Sequence, residues 1–394
     1  MVDTTNVDLQ QESKKNRIRL LKELAIVFLK LGTIGFGGPA AHIAIMKEEI
    51  VERRKWLSQD KFLDLIGATN LIPGPNSTEM AIHIGHLRAG WPGLLVAGIS
   101  FILPAATIVL LIAWLYVHFG KLVQATGLLY GIKPVIIAVI LQALWGLGRS
   151  AVKGKLLAFV CLISITLSFL SINELIILFC AGVFVMAIDW LKNFKYKKVT
   201  FLSLLTNLSL LPLIQTVTTP SSTFGLWPLF LFFLKVGSVL YGSGYVLLAF
   251  LHNDLVITRG WLTETQLLDA ITVGQITPGP VFTTATFIGY ILGGFWGALL
   301  ATIGIFLPAF IFVFISSLLI PYLRRSTLAG AFLDGVNVAS LALMVIVTWH
   351  LGKASIIDLT TIMLCLFSSI ALIYFRINSA WLVLIGATIG FFLT

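Results

Sequence analysis

The chain has 394 residues, of which 58% are hydrophobic and only 11% charged, with 28 Phe and 10 Trp. Soluble domains carry roughly a quarter charged residues, so a soluble globular protein, a disordered chain and a disulfide scaffold are excluded. The net charge of +10 sits in short basic clusters between apolar runs; that pattern sets orientation in helical membrane proteins and is not a nucleic-acid footprint.

The apolar runs are continuous and do not alternate, so a barrel is disfavoured. The predicted class is an all-α polytopic membrane protein with roughly ten crossings, since a span takes about 20 apolar residues. Residues 1–23 form a polar tail; Met1–Lys15 lacks an apolar stretch, which predicts no cleavable signal peptide. Segment 24–46 is apolar but interrupted by glycines, and segment 62–87 by Pro73-Gly74-Pro75. Uninterrupted spans follow near 92–117, 132–148, 156–172 and 174–191. Residues 192–225 read as a linker, basic at its start, with an apolar run at 199–217 that is either an extra span or an interfacial helix. Segments 226–250 and 267–292 are again broken, by glycines and by Pro278-Gly279-Pro280. Spans near 295–320, 328–350, 356–375 and 378–394 close the chain. Cys161, Cys180 and Cys365 lie inside apolar runs without metal spacing and read as small core residues.

This order contains an internal repeat. FLKLGTIGFGGPA from Phe28 returns as FLKVGSVLYGSGY from Phe233, and 16 of 48 positions are identical without a gap. Lys30 matches Lys235, Arg54 matches Arg259, Trp56-Leu57 matches Trp261-Leu262, Asp64 matches Asp269, and the two Pro-Gly-Pro triplets coincide. After a one-residue slip, Ile84-Gly85 matches Ile288-Gly289 and Leu103-Pro104-Ala105 matches Leu307-Pro308-Ala309. The chain is a duplication, with repeats at 24–191 and 226–394.

Basic residues give the expected topology. Lys14, Lys15, Arg17, Arg19 and Lys22 place the N-terminus in the cytoplasm. Loop 47–61 carries five cations, whereas its mate 252–266 keeps only Arg259; conversely Arg324-Arg325 stands where the first half has Lys121. The basic ends are swapped, so the repeats are expected in opposite orientations, as in many secondary transporters. A basic tail and a basic 47–61 loop on one side make 24–46 re-entrant.

Candidate site residues cluster at the breaks. Gly37, Gly38 and Pro39 interrupt a helix, and a restarted helix offers unpaired N–H groups that attract anions. The same glycines also fit a close helix-packing patch. Pro73, Gly74 and Pro75 are followed by Asn76, Ser77 and Thr78; Pro278, Gly279 and Pro280 by Thr283 and Thr284. These are capping residues whose side chains also donate to anions, or simply bond their own backbone. Lys30 and Lys235 are cations in apolar segments, serving either as anion ligands or as snorkelling side chains. Arg88 is a further candidate cation, and Glu79 either pairs with it or takes part in ion coupling. His42 and His83 are candidate coupling residues; with His86 they have no metal spacing, so no metal site is expected. Trp56 and Trp261 read as interfacial anchors, Asp64 and Asp269 as braces of a hairpin, and Asp334 and Asn337 as polar positions without a mate in the first half. No haem-type CxxCH, flavin fingerprint or phosphate loop is present, so no cofactor is expected and an enzyme is disfavoured.

FLKLGTIGFGGPAAH, RRKWLSQDKFLDL, NLIPGPNSTEMAIHIGHLRAGWPGLL and FILPA resemble the chromate ion transporter superfamily in its long, two-domain form. YGSGY, GWLTETQLLDAITVGQITPGPVFTTATFIGYILGG and FLPAF are similar to that family's second domain. The resemblance implies a cytoplasmic (inner) membrane protein that exports chromate and confers chromate resistance, with sulfate as a related tetrahedral dianion. Partners are then the oxyanion and the bilayer, with a homodimer allowed. The second repeat has Tyr241, Gly242, Ser243 and Gly244 where the first has Phe36, Gly37, Gly38 and Pro39, so the two half-sites are expected to differ.

Overall fold

The computed structural model describes residues 4–35, 38–70, 72–119, 123–170, 172–193, 224–240, 247–323, 327–375, 377 and 379–393. The apolar run 199–217, Gly37 and the 241–246 segment with Gly242 and Ser243 lie outside the described residues. Among those described, regular structure is entirely helical.

In the first half, α1 (Thr4–Ile34) stops before a break. The next helix, α2 (Gly38–Lys47), widens into a π-type turn (Glu48–Arg53). A third, α3 (Gln59–Thr69), leads through Pro73-Gly74-Pro75 to α4 (Asn76–Phe119). Three helices complete the half: α5 (Val123–Ala151), α6 (Lys155–Phe169) and α7 (Glu174–Asn193). The second half repeats this order. It has α8 (Leu226–Val239), α9 (Leu247–Leu251) with its π-type turn (His252–Thr258), α10 (Glu264–Ile276) and α11 (Thr284–Leu323). Then come α12 (Thr327–Ser355), α13 (Leu359–Ile373) and α14 (Ser379–Leu393). Helix starts are built alike: Ser58 caps α3 by accepting from Lys61 N–H, and its mate Thr263 forms a capping box with Gln266 on α10.

Both long helices double back. In α4, Ala89 (φ −141°, ψ 20°) and Gly90 (φ 63°, ψ −146°) leave helical geometry; in α11, Gly293 (φ −140°, ψ 21°) and Gly294 (φ 60°, ψ −150°) do the same. Gly85 then packs on the Gly93 carbonyl and Gly289 on the Gly297 carbonyl, contacts that leave no room for a Cβ. A straight helix would hold those pairs about 12 Å apart, so each helix is a short arm (76–88, 284–292) folded against a long arm (91–119, 295–323). Thr286 and Thr302 join the arms of α11 by a 2.7 Å hydroxyl bond.

The halves are interwound. In each, the first helix lies along its own long arm (α1 on α4, α8 on α11), with Gly32 against the Phe101 carbonyl and Gly237 against the Ile305 carbonyl. The later helices cross over: α5 packs on α13 and α14 of the other half, and α12 packs on α6 and α7. Gly131 meets Gly386, and its mate Gly335 meets Ala181 and Gly182, each as backbone-to-backbone contact. A core that includes Val135, Ile136, Phe282, Ala339 and Leu343 therefore spans both repeats. Outward faces are apolar, as at Leu162, Phe367 and Trp381, which suits a lipid surround. Five helices are long and apolar enough to cross a membrane, and five shorter helices are also apolar.

Asp334, expected to lack a counterpart, has a functional one. It takes an ion pair from Lys153 at 2.9 Å, and Tyr130, at the equivalent position of α5, donates to Asp358. Different residue types tie the same two elements at each end.

Candidate functional site

The four helix breaks interlock pairwise across the halves. The Gly74 N–H donates to the Leu240 carbonyl at the end of α8 (2.8 Å), and the Gly279 N–H donates to the Gly35 carbonyl after α1 (2.8 Å). The repeated Leu-Pro-Ala motif explains the fit: Gly74 lies beside Ala309 and Gly279 beside Ala105. Each Pro-Gly-Pro turn thus docks on the other half's long arm and broken first helix. Proline supplies no N–H to either break, so the single glycine N–H is the donor that joins the halves.

Polar groups line both first-half breaks, His42 at the Gly35 break and Ser77, Thr78 and Glu79 at the Pro-Gly-Pro break. His42 donates from Nε2 to the Gly35 carbonyl at 2.9 Å, because a carbonyl only accepts. Nδ1 is then a buried acceptor without a partner. Ser77, Thr78 and Glu79 are buried at the start of the short arm, with Thr78 Oγ1 and both Glu79 carboxylate oxygens unpartnered. The Glu79 carboxylate abuts Gly74 so closely that a Cβ there would overlap it. An unpartnered buried polar group costs about 1–3 kcal/mol, so this concentration is not what packing alone would select. Asn76 donates to Asn70 at 2.7 Å. His83, further along the arm, lies 3.4 Å from Ser316 of α11.

The second break is quieter. Thr283 and Thr284 are buried, and their hydroxyls donate to the Pro280 and Val281 carbonyls at 2.9 and 2.8 Å. Both thus take the local backbone bond.

The expected cations are placed differently. Glu79 and Arg88 do not pair: Arg88 lies 3.6 Å from Glu23 and 4.7 Å above the Trp56 ring. Lys30 pairs with Glu49 at 3.3 Å and Lys235 with the equivalent Asp254 at 3.1 Å, both lysines 41–46% exposed. Each lysine bridges a first helix to the following π-type turn. Arg53 and Arg54 complete the Glu49 cluster at 2.9 and 2.8 Å, and hold its carboxyl below the usual range, chiefly through Arg54. The tryptophans expected as anchors serve as platforms for guanidinium groups: Arg54 and Arg88 lie over Trp56, and Arg259 over Trp261 at 4.7 Å.

The repeated aspartates are not equivalent. Asp64 is exposed, whereas Asp269 is 2% exposed. Asp269 lies 2.8 Å from Lys133 of α5 and accepts from Tyr116 of α4 at 2.8 Å. Sequence reading missed this triad. Its signal was Lys133 itself, a lone cation at the start of the 132–148 apolar run, hidden because the repeat carries Asn337 there.

The sequence model for the chromate transporter family matches twice, over residues 22–186 and 227–391. The chain belongs to the chromate transporter family. Among individual proteins, it is 31% identical to the chromate transport protein of Cupriavidus metallidurans over 94% of this chain and 92% of that one. It is 31% identical to the probable chromate transport protein of Synechococcus elongatus over 89% of each chain. The uncharacterized transporter YwrA of Bacillus subtilis is 32% identical over 33% of this chain and 73% of its own. No solved structure matches. This family member is therefore a multi-pass membrane protein of transporter type, built from two homologous halves whose breaks meet.

Proposed function

We propose that the protein is a secondary transporter that exports chromate across the cytoplasmic membrane and so confers chromate resistance. The observation that carries this reading is the interlock of four helix breaks, lined by buried hydroxyls and unpartnered acceptors, in a chain of this family. The two halves lie with opposite orientation and the N-terminus in the cytoplasm, in keeping with the swapped basic ends. The substrate site comprises Gly37, Gly38, Asn76, Ser77 and Thr78 on one side and Gly242 and Ser243 on the other, with Thr283 and Thr284 joining once their hydroxyls leave the Pro280 and Val281 carbonyls. Pro39, Pro73-Gly74-Pro75 and Pro278-Gly279-Pro280 set the backbone that frees N–H groups for the dianion. Lys30, Lys235 and Arg88 act at the rim, through their ion pairs, and raise the local anion concentration.

Alternating access follows from rocking one half against the other about the Gly74–Leu240 and Gly279–Gly35 bonds. An inside-negative potential favours outward movement of a dianion by about 4.6 kcal/mol per 100 mV. Glu79, with His83 on the same short arm and His42 as a further candidate, is the ion-coupling group, in keeping with its buried, unpartnered carboxylate.

The test is uptake of labelled chromate into inside-out vesicles under an imposed potential, with excess sulfate as competitor. Potential-dependent accumulation of unreduced chromate, cut by sulfate, is expected. A correctly inserted protein that accumulates sulfate but not chromate assigns the site to sulfate; accumulation of neither overturns the oxyanion reading.

A further inference from the structure

We propose that Lys133 is an anion-binding residue of the translocation path and that Asp269 is its resident counter-ion, exchanged for a tetrahedral oxyanion dianion during transport. This rests on the transporter reading above.

A dianion leaving water needs fixed positive charge close by. Lys30, Lys235, Arg54, Arg88, Arg53 and Lys153 have side chains about a third exposed or more, each in an ion pair. Lys133 is different: its side chain is 16% exposed and that of Asp269 is 3%. The ammonium lies 2.8 Å from Asp269 Oδ1, but outside hydrogen-bond geometry. The contact is an ion pair, which an incoming anion has to displace. Tyr116 holds the other oxygen at 2.8 Å, which fixes the carboxylate when the ammonium turns away.

The triad also breaks the repeat. The Lys30–Glu49 brace recurs as Lys235–Asp254. The equivalents of Lys133, Asp269 and Tyr116 are Asn337, Asp64 and Ile320, so this position holds a cation in one half only. Structural ties also diverge between the halves, as Lys153–Asp334 against Tyr130–Asp358 does; what sets Lys133 apart is the low exposure of both partners. Placement fits as well. Lys133 and Tyr116 belong to the first half and Asp269 to the second. Asp269 lies on α10, which runs directly into the Pro278-Gly279-Pro280 break. Releasing Asp269 from Lys133 therefore loosens the helix that leads into Gly279, one of the two interhalf backbone donors. A dianion with four oxygens competes well against a single carboxylate for an ammonium.

The experiment measures binding of labelled chromate, and separately of labelled sulfate, to the purified full-length protein. It compares wild type with Lys133→Gln, Lys133→Arg, Asp269→Asn and the double variant Lys133→Gln/Asp269→Asn, with thermal unfolding of each. Lys133→Gln is expected to weaken binding about tenfold or more, and Lys133→Arg to retain most of it. Asp269→Asn, which removes the competing anion, is expected to tighten binding. The double variant has no uncompensated buried charge, so it reports on Lys133 even where a single variant misfolds; its binding is expected to stay as weak as that of Lys133→Gln. Wild-type binding by the double variant would make the pair a structural brace and overturn the inference, as would unchanged or weaker binding by a folded Asp269→Asn. If wild type binds neither anion, the oxyanion reading itself falls and takes this inference with it.

Discussion

Gly279 illustrates how much one residue carries here. Its φ of +91° disfavours any L side chain, and a Cβ would sit 2.6 Å from that of Ala105. Gly279→Ala is expected to cost about 2 kcal/mol or more, from left-handed strain plus overpacking, and to abolish flux, since it displaces the donor to Gly35. Gly90 has a φ of +63° but open space around it, so Gly90→Ala should cost only the strain, about 1–2 kcal/mol. Thermal unfolding in detergent, alongside vesicle flux, compares the two. Glu79→Gln should leave the fold intact, because neither carboxylate oxygen has a partner to lose. It should retain potential-driven flux but lose the effect of a pH gradient; a variant that still responds to the gradient removes Glu79 from coupling. Glu49 lies in the π-type turn, and its pKa is lowered by Arg54 first, then Lys30 and Arg53. A depressed carboxylate stabilises fully above its unfolded value and loses that contribution as pH falls through the folded one. Glu49→Gln should therefore lower the Tm at neutral pH, with the gap to wild type closing on acidification below about 4.5.

At the scale of elements, the duplication and the breaks were legible because they rest on residues with few substitutes. Glycine and proline mark non-helical backbone whatever surrounds them, and Trp, Arg and Asp in register do not arise from shared hydrophobicity. What the Leu-Pro-Ala motif is for was not legible. It docks the other half's Pro-Gly-Pro turn, and a contact about 200 residues away along the chain leaves no periodic signal. The same limit hid the partners of Lys30 and Arg88, which lie on other elements of the same half, and the Lys133–Asp269 pair, which joins the halves. Thr283 and Thr284 look like anion donors in sequence, yet local geometry turns them onto their own turn. Helix crossing by small residues gives a direct test. Gly131 meets the Gly386 backbone on α14, whereas Gly146, on the same helix α5, has nothing within 4 Å of a Cβ. Gly131→Leu should destabilise by about 1–3 kcal/mol or more, and Gly146→Leu by less than about 0.5 kcal/mol, measured by thermal unfolding.

At the scale of the molecule, the crossing of α5 onto α13 and α14, and of α12 onto α6 and α7, makes each half the missing wall of the other. Two chains divided within 194–223 should be unstable when expressed singly and should assemble into an active transporter when expressed together. Stable, monodisperse single halves would contradict the interwound core. Removal of Asp269 alone should cost about 3–5 kcal/mol through the orphaned ammonium, and the neutral double variant much less. That cost falls between halves, so it should lower the affinity of the separated chains for one another.

The paired backbone bonds, Gly74 to Leu240 and Gly279 to Gly35, also speak to history. Neither bond can form inside one repeat, and a lone repeat would leave a donor and an acceptor orphaned at its own centre. Fusion cannot have created that need and met it in the same step. The pattern accords with an ancestral half-length chain that assembled in twos, whose duplication froze an existing handshake into one polypeptide. Once fused, the two partners were free to diverge, which is how one copy came to hold a lysine where its twin holds an asparagine.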